Sequence, residues 1–403
     1  MFSGTAKAHW QVNHGAVIDI YDTQRLNTAT NNGISFDDPI MEHALYRSLL
    51  DPYCVKKNRN SRIDMLKLLH VTHVLATGAL AIPTADDGKL SFKLESVAPA
   101  NSFEHGNAHS ACADARATMH LARLIATRAP AIWQRATNIW SRKDAVGALL
   151  TPGATVVLFE WDAKARKSKF KVLLSLGPRP DYSGEYLCID TGIEPSTYAA
   201  LSSAALVDKI TKGSVPHPIC PVRLNKMPIL FPLNDPAISN FVPPGFEVQV
   251  ARARQLAQGD RAVEAATLRQ DGFRDSDHVE EQLYSGGFFS NADTLRMAQF
   301  HRADPEGKLQ LVNQFDDARL RTLGLRLVFE EHPANMRVEA RARIDAEVAH
   351  RMHAGDAAPW TTISRALQEI AKASESSSGK KRDLLLEYRQ YLLDLSGIGQ
   401  AAE

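Results

Sequence analysis

The stretch His105-Gly-Asn-Ala-His109-Ser-Ala-Cys-Ala-Asp114 decides how the rest of the chain is interpreted. A short loop that carries two histidines runs into the small, alanine-rich start of a helix, which the sequence predicts from residue 111 to 126. His109 then stands just before the helix, and Asp114 stands in its first turn or two. Both side chains can therefore face one site.

Length and composition describe a globular chain. The 403 residues predict two or three domains, and an apolar content of 44% suffices for buried cores. The 47 Lys and Arg residues balance the 46 Asp and Glu residues, so no bulk field attracts nucleic acid, although a local basic groove would not show in that sum. Four cysteines without a Cys-x-x-Cys pair are typical of reduced thiols. Since no apolar run has membrane length and no signal-peptide core is found, we expect a cytoplasmic protein.

The first 130 residues mix strand and helix patterns. Residues 16–21 are an apolar run that predicts one strand. Pro39 suits the first turn of a helix whose apolar positions include Leu45 and Leu49, which leaves Asp37 at the helix N-terminus. A second helix is predicted over residues 61–75.

The pattern changes after residue 130. Three β-rich runs predict a small antiparallel barrel or sheet, extended by residues 229–231 after a proline-rich crossing at 216–228; the runs are 155–161, 169–175 and 184–190. From about residue 244 the sequence is almost all helix; the predicted helices are 246–257, 292–301, 316–331, 334–353, 360–373 and 382–395. Leu385, Tyr388, Leu392 and Leu395 predict the core-facing stripe of the last helix, which follows a flexible connector at 374–380.

Spacing alone leaves three interpretations of the opening stretch. The histidines can be ordinary loop residues and Asp114 a solvated helix residue. Alternatively, His105, His109 and Cys112 can hold zinc, although no further ligand is clustered with them. In the third interpretation, a histidine activates water while Asp114 and Asp37 hold a hard divalent cation, which is typical of phosphodiester hydrolysis.

Further motifs accompany this stretch in a fixed order. They are Asn31-Asn32 with Phe36-Asp37-Asp38, Asp51-Pro52-Tyr53, Asn60-Ser61-Arg62 with Asp64, Asp86-Asp87-Gly88, Ser91-Phe92-Lys93-Leu94-Glu95, Leu224-Asn225-Lys226-Met227-Pro228 and Gly287-Phe288-Phe289-Ser290. The series resembles the exodeoxyribonuclease I family, DEDD-type 3′→5′ exonucleases with a histidine in the third motif. The resemblance implies an incomplete ribonuclease H-like exonuclease domain over residues 1–130, an SH3-like domain over 131–242 and a C-terminal helical domain over 243–403. In the family, these domains form a C-shaped clamp on single-stranded DNA.

The resemblance also implies roles for individual residues. His109 is the general base that deprotonates the attacking water, Asp114 binds the catalytic Mg²⁺, and Asp37 is the carboxylate of the second motif and a further metal ligand. Lys93 stands where the family has an arginine that contacts the DNA phosphate, so it keeps the charge and loses the bidentate fork. Tyr53 is either a surface on which a base stacks or a half-buried aromatic.

Two other DNA contacts of the family are altered in this sequence. A tryptophan position of the family falls near Lys57, and an arginine position falls at His70. Both changes predict weaker contacts with the substrate.

The first motif of the family, Asp-x-Glu on the first strand, is not found ahead of Asp37. The nearest match places Asp22 only 15 positions before Asp37, too few for the strands that the family has between them. We therefore expect a truncated or replaced N-terminus, and hydrolysis that is lost or severely reduced unless Asp19 or Asp22 substitutes as a metal ligand.

The expected function is 3′→5′ hydrolysis of single-stranded DNA with release of 5′-mononucleotides, in DNA repair or recombination and with Mg²⁺ as cofactor. The alternative is a catalytically inactive remnant that still binds single-stranded DNA. The resemblance implies single-stranded DNA and the single-stranded DNA-binding protein as partners, with no membrane, and we expect a monomer.

Overall fold

The structure is a computed structural model. It describes residues 27–56, 60–103, 111–180, 182–194, 219–257, 276–355 and 360–396, with isolated positions at 201, 202, 204, 205, 208, 212 and 358. The chain divides into two compact units. Unit 1 comprises Met1–Tyr46 and Asp51–Asp275, and unit 2 comprises Arg47–Leu50 and Ser276–Glu403. The strand predicted at residues 16–21 lies outside the described residues.

Unit 1 begins with two parallel strands, β1 (Asn27–Thr30) and β2 (Ser61–Asp64). Helix α1 (Asp37–Arg47) follows β1 and has Pro39 in its first turn, as the sequence predicts. The sequence does not predict β1, because its polar Asn-Thr-Ala-Thr segment lacks the apolar alternation of a half-buried strand. Strand β1 is formed through its pairing with β2.

Helix α2 (Met65–Leu75) begins later than the sequence predicts. The prediction of one helix over residues 61–75 was wrong for its first turn, because residues 61–64 pair with β1 as a strand. Asp64 is extended and ends the strand. Its carboxylate accepts hydrogen bonds from the backbone N–H of Leu66 and of Asn32, both at 3.1 Å. The same side chain therefore caps α2 and fixes the end of β1.

Helices connect the parallel strands to a second sheet. They are α3 (Leu94–Ala100), α4 (Ala111–Arg128), α5 (Pro130–Arg135), a π-helical turn (Ala136–Trp140) and α6 (Lys143–Leu149). Helix α4 confirms the helix predicted from residue 111, and it packs against β1. Trp140 is fully buried, and its indole Nε1 donates to the carbonyl of Leu230 at 2.9 Å. One apolar core thus continues from the helices into the second sheet.

The second sheet of unit 1 has five antiparallel strands in the order β6-β5-β4-β3-β7. They are β3 (Thr155–Asp162), β4 (Lys167–Arg179), β5 (Tyr182–Asp190), β6 (Ile219–Arg223) and β7 (Ile229–Pro232). The small antiparallel sheet predicted from the β-rich runs is confirmed. The predicted proline-rich crossing at 216–228 was wrong in part, because it contains β6. Pro221 is tolerated there since β6 is an edge strand. Helix α7 (Phe246–Ala257) packs against β4.

Unit 2 is helical. Its described helices are α8 (Asn291–Phe300), α9 (Pro305–Gln314), α10 (Ala318–Glu331), α11 (Val338–Met352), α12 (Ile363–Glu375) and α13 (Lys380–Ser396). Four of them begin at a side chain that accepts a backbone N–H, namely Ser290, Asp304, Asp317 and Thr362. Helix α9 was not predicted, although Asp304 followed by Pro305 is a helix-start signal. The other helices lie within a few residues of their predicted positions.

The last two helices pack on each other through one apolar face. Leu392 is buried with Ile363 and Ile370, as the predicted stripe requires. Tyr388, however, was wrongly placed in that stripe: its side chain is 50% exposed and its ring stacks with that of Tyr391. Helical spacing gives the direction of a side chain but not which flank of the stripe a neighbouring helix covers.

The observed architecture is mixed, with two sheets in unit 1 and helices throughout unit 2. The division into ribonuclease H-like, SH3-like and C-terminal helical domains stays a prediction. In the described part of the chain, no helix is long and apolar enough to span a membrane.

Candidate nucleic-acid interface

The two aspartates at the start of α1 have different environments. Asp37 is exposed. Asp38 is buried and forms an ion pair with Arg62 of β2, whose guanidinium also donates to the carbonyl of Asn225 at 2.9 Å. Burial raises the pKa of Asp38, although Arg62 opposes the shift. Asp38 therefore holds α1 on β2, whereas Asp37 is available to solvent.

Asp114 lies in the first turn of α4 and is half-buried. Its backbone carbonyl accepts a hydrogen bond from the hydroxyl of Thr118 at 2.8 Å. His105 and His109 lie outside the described residues, as do Asp19 and Asp22. The predicted pairing of His109 with Asp114 therefore stays a prediction.

The described residues do not by themselves complete a metal site. No group of three or more His, Cys, Asp or Glu side chains that could hold a metal occurs among them. Asp37 and Asp114 are described carboxylates without a third ligand from the same part of the chain, so we derive no chemical step through Mg²⁺. The zinc set of His105, His109 and Cys112 cannot be placed, since two of its members are outside the described residues.

The predicted DNA contacts at Tyr53 and Lys93 both belong to unit 1. Tyr53 is half-buried, and the ammonium group of Lys56 lies 5.5 Å from the centre of its ring. Lys93 precedes α3, and its side chain is 75% exposed and 3.6 Å from the carboxylate of Glu95. Lys57 lies outside the described residues.

A cleft of about 710 Å³ lies within unit 1, between the β2–α2 segment and the five-stranded sheet. It is lined by Asn32, Asp64, Leu66, Lys67, His70, Leu158, Phe159, Glu160, Trp161, Asp162, Ala163, Lys169, Pro221, Val222, Arg223, Lys226, Met227, Pro228 and Ile229. Its walls combine lysine and arginine side chains with aromatic and aliphatic ones. A cleft of this composition can bind a ligand that has both charged and apolar parts.

Two lysines of the cleft are held by backbone carbonyls. The Nζ of Lys67 donates to the carbonyls of Lys226 and Met227, and the Nζ of Lys226 donates to the carbonyl of Ile34 at 3.2 Å. Neither lysine forms an ion pair with a carboxylate in the described ranges. Burial lowers the pKa of both ammonium groups. The nearby carboxylates of Asp64 for Lys67 and of Glu42 for Lys226 oppose this shift without forming an ion pair, so an entering phosphate would add a direct anionic partner.

Other charges that line the cleft are paired. Lys169 lies 2.7 Å from Asp162, and the carboxylate of Glu160 lies 2.8 Å from Lys171. Arg223 lies 2.7 Å from Glu185, which is itself buried. Lys67 and Lys226 are the cations of the lining without a directly bound carboxylate among the described residues, although the carboxylate of Asp64, also in the lining, attracts Lys67.

One wall of the cleft is a cluster of rings. His70 of α2 stacks on Trp161 of β3, with ring centres 4.7 Å apart and planes within 9°. Phe92 meets both rings edge-on, at 4.4 Å from His70 and 4.9 Å from Trp161. Burial, with smaller contributions from His73 and Lys67, lowers the pKa of His70 to about 3. His70 is therefore neutral near pH 7 and cannot supply the charge of the arginine that the family has at this position.

Sequence reasoning did not find Trp161, Lys67 or Lys226 as site residues. Lys67 and Lys226 lie 159 positions apart, and the tertiary fold brings them together. The Leu-Asn-Lys-Met-Pro motif, which ends at Pro228, was quoted for the resemblance, but its lysine was not assigned a role. The alternation of Phe159 and Trp161 in a β-rich run was a signal that could have indicated Trp161.

Curated relatives of known identity match most of the chain. The exodeoxyribonuclease I of Haemophilus influenzae is 30% identical over 307 residues, which cover 72% of this chain and 64% of the relative. The exodeoxyribonuclease I of Escherichia coli is 27% identical over 305 residues, with the same coverage of 72% and 64%. The chain thus spans less than two thirds of the length of these relatives.

Solved structures match the fold. An exonuclease I from Methylocaldum szegediense is 25% identical with a TM-score of 0.79, covering 95% of this chain and 83% of that chain. The E. coli exonuclease I in complex with a dA16 oligonucleotide is 22% identical with a TM-score of 0.78, covering 94% and 83%. An ExoI/SSB-Ct complex is 21% identical with a TM-score of 0.78, covering 94% and 82%.

Residues 277–395 match the family model of the exonuclease I C-terminal domain. Fold and sequence are therefore similar to those of proteins of the exonuclease I type. In particular, the chain is a homologue of exodeoxyribonuclease I, and the recognition made from its motifs is confirmed.

Proposed function

We propose that this chain binds single-stranded DNA in the cleft of unit 1, as a member of the exodeoxyribonuclease I class. The observation that carries the proposal is the pair of half-buried lysines, Lys67 and Lys226, whose ammonium groups donate to backbone carbonyls beside an aromatic wall. Phosphates of a single strand supply the missing anions, and bases supply flat apolar faces. The E. coli relative in complex with a dA16 oligonucleotide supports this ligand class.

The resemblance to the family supports one proposed activity, which is 3′→5′ hydrolysis of single-stranded DNA with release of 5′-mononucleotides, in DNA repair or recombination. It needs His109 as the base and a divalent metal, Mg²⁺, at Asp37 and Asp114. A metal of this kind would activate water and stabilise the charge of the phosphate. Because the sequence ahead of Asp37 contains no glutamate, we propose that hydrolysis is lost or severely reduced in this chain. The second candidate function is therefore binding without hydrolysis.

A protein partner is proposed by the same route. Since a related exonuclease I forms a complex with SSB-Ct, we propose the single-stranded DNA-binding protein as a partner of this chain. A monomeric state and a cytoplasmic location stay predictions.

Binding is tested by fluorescence anisotropy with a labelled oligo(dT) at several salt concentrations. We expect the affinity to fall with salt, and Lys226→Gln to weaken binding by about 3- to 10-fold while reducing the salt slope by roughly 0.7, the contribution of one phosphate contact. Lys89→Gln, which removes an exposed charge outside the cleft, is the matched control and should leave both quantities unchanged. An affinity that does not change with salt concentration would contradict binding through the DNA phosphates.

Hydrolysis is tested separately with a 3′-labelled oligonucleotide and Mg²⁺. We expect no release of mononucleotides at micromolar protein. Release that requires Mg²⁺ and that His109→Ala abolishes would instead establish the exonuclease and overturn the proposed loss of activity.

A further inference from the structure

Two of the cysteines face each other across neighbouring strands of the five-stranded sheet. Cys188 of β5 and Cys220 of β6 are directly opposed in the antiparallel register, so their side chains lie on the same face of the sheet. Both belong to one apolar cluster, in which Cys188 is buried and Cys220 is half-buried against it. Both are free cysteines. The sequence does not indicate that they meet, since it contains no Cys-x-x-Cys pair.

The register brings the two thiols within reach of a disulfide. Directly opposed residues of an antiparallel pair have Cα atoms about 4.5 to 5.5 Å apart, and disulfides join residues whose Cα atoms are about 4.4 to 6.8 Å apart. The Cβ atoms of such a pair lie about 4.5 to 5.5 Å apart, whereas a disulfide brings them to roughly 3.5 to 4.5 Å. The strands must therefore approach each other slightly, which makes the bond strained and easily reduced.

The surroundings of the two thiols differ. Burial raises the pKa of Cys188 to about 12 and the pKa of Cys220 to about 11. The ammonium group of Lys171 opposes the shift at Cys220, whereas the carboxylates of Glu160 and Asp190 add to it. Cys220 is also the more exposed of the two. Because the thiolate is the reactive form, both thiols react slowly, and Cys220 is the one that an oxidant reaches first.

A bond between these thiols would act on an edge of the sheet. Strand β6 is an edge strand and pairs with β5. It runs directly into the 3-10 turn Leu224–Lys226, whose last residue lines the cleft. A bond from Cys188 to Cys220 closes a loop of roughly 30 residues and lowers the entropy of the unfolded segment. The bond would therefore hold β6 on the sheet.

We propose that Cys188 and Cys220 form a reversible disulfide that fixes β6 to β5 when the chain meets a small-molecule disulfide such as oxidised glutathione. In the first step, the Cys220 thiolate attacks one sulfur of the oxidant, which forms a mixed disulfide and releases one thiolate. The Cys188 thiolate then attacks Sγ of Cys220 and displaces the second thiolate of the oxidant. The two protein thiols lose two protons and two electrons, and the oxidant is reduced to two thiols. This inference does not depend on DNA binding.

The experiment incubates the full chain with glutathione mixtures of rising oxidised fraction, alkylates the remaining thiols and maps the peptides by mass spectrometry. We expect Cys188 and Cys220 to be joined in the oxidising mixtures and both to be alkylated after reduction. Cys188→Ala should hold glutathione at Cys220, because the thiol that displaces it is gone, whereas Cys220→Ala should leave Cys188 unmodified. Cys54→Ala, which removes another buried thiol of unit 1, is the matched control and should form the bond as wild type does.

Hydrogen exchange measures whether the bond fixes the strand. We expect the amides of β6 to exchange at least about 10-fold more slowly in the oxidised protein than in the reduced protein. Exchange in α10 of unit 2 should be the same in both forms. Cys220→Ala treated with the same oxidant should show no slowing in β6.

Three results would overturn the proposal. If Cys188 and Cys220 both stay open to alkylation at every ratio, or if Cys220 of wild type retains glutathione, the opposed thiols do not close. Disulfides from either residue to Cys54 or Cys112 in comparable amounts would show that oxidation takes place in the unfolded chain. An unchanged exchange rate of β6 in the oxidised protein would show that the bond does not fix the strand.

Discussion

The ion-pair network around Glu280 in unit 2 and the two lysines of the cleft in unit 1 differ in the partners that their charges have. In unit 2, the carboxylate of Glu280 accepts hydrogen bonds from Arg351 and from Arg326, and Arg326 also lies 2.5 Å from Glu347. In the cleft of unit 1, Lys67 and Lys226 have backbone carbonyls as their described partners. The network around Glu280 thus has directly bound ionic partners within unit 2, whereas Lys67 and Lys226 have no directly bound carboxylate among the described residues.

Trp360 of unit 2 and Trp161 of unit 1 also differ in the surroundings of their rings. The indole Nε1 of Trp360 donates to the carbonyl of Arg351 at 2.8 Å, and the guanidinium of that arginine lies 5.0 Å from the ring centre. Trp161 instead borders an open cleft. The bound partners in unit 2 indicate groups that stabilise the fold, and the open cleft of unit 1 supports the proposal that its groups bind a ligand.

The largest expected effect is the acid sensitivity of the cleft. Because burial lowers the pKa of His70 from 6.5 to about 3, the unfolded chain binds the extra proton first as pH falls. Stability from the neutral ring is therefore present above pH 6.5 and is lost as pH falls toward about 3, by roughly 4 kcal/mol between about pH 7 and pH 3.5. We expect His70→Phe, which keeps the stack, to remove most of this loss in urea denaturation at several pH values.

His73 lies beside His70 and also has its pKa lowered by burial, so a small pH dependence should remain in the variant. If His70→Phe loses stability over the same range as wild type, the assignment to His70 is wrong.

The next largest effect is expected on the stability of unit 2, from the ion-pair network of Glu280, Arg326, Arg351 and Glu347. Glu280→Ala leaves Arg351 and Arg326 without their shared carboxylate and should lower the free energy of unfolding by about 2–4 kcal/mol. Exposed Glu339 of α11 offers a control, since its change to alanine should cost less than about 0.5 kcal/mol. Equal effects of the two substitutions would show that the network does not stabilise unit 2.

The same network predicts a second pH window. Burial alone would raise the pKa of Glu280, but hydrogen bonds from Arg351 and Arg326 lower it from 4.5 to about 2. Its contribution is present above pH 4.5 and is lost as pH falls toward about 2. As pH falls, the stability contributed by neutral His70 in the cleft should therefore be lost at higher pH than the stability contributed by ionised Glu280 in unit 2.

The smallest effect is expected at an exposed position. Lys93→Arg restores a bidentate fork where the family has an arginine, and we expect a gain in oligo(dT) affinity of about 2- to 3-fold because the side chain is solvated. Lys93→Gln should weaken binding by a similar factor in the same anisotropy assay. Loss of affinity on the change to arginine would contradict a phosphate contact at this position.

Much of the fold could be predicted from local patterns. The strands β3, β4, β5 and β7 follow alternating β-rich runs, and α4 follows its alanine-rich sequence, since these signals are local. The polar β1 and the first turn of the predicted helix 61–75 could not be read in this way. Their strands exist because two distant short segments pair in parallel, with Asp64 capping the helix that follows.

The candidate site was predictable in part. The positions of Asp37 at the start of α1 and of Asp114 at the start of α4 agree with the sequence-based expectation, whereas their catalytic roles stay predictions. The wall of Trp161 and His70 could not be predicted, because a histidine in a helical pattern gives no indication of the ring that stacks on it from another sheet.

The sequence by itself determined the similarity to exodeoxyribonuclease I, because a series of motifs in fixed order can be recognised without the structure. It also determined the succession of sheet and helix, because periodicity is a property of neighbours along the chain. Only the tertiary structure decided that Lys67 and Lys226, far apart in sequence, lie desolvated at one cleft beside Trp161. Desolvation and stacking depend on which segments pack together, and no local pattern encodes that.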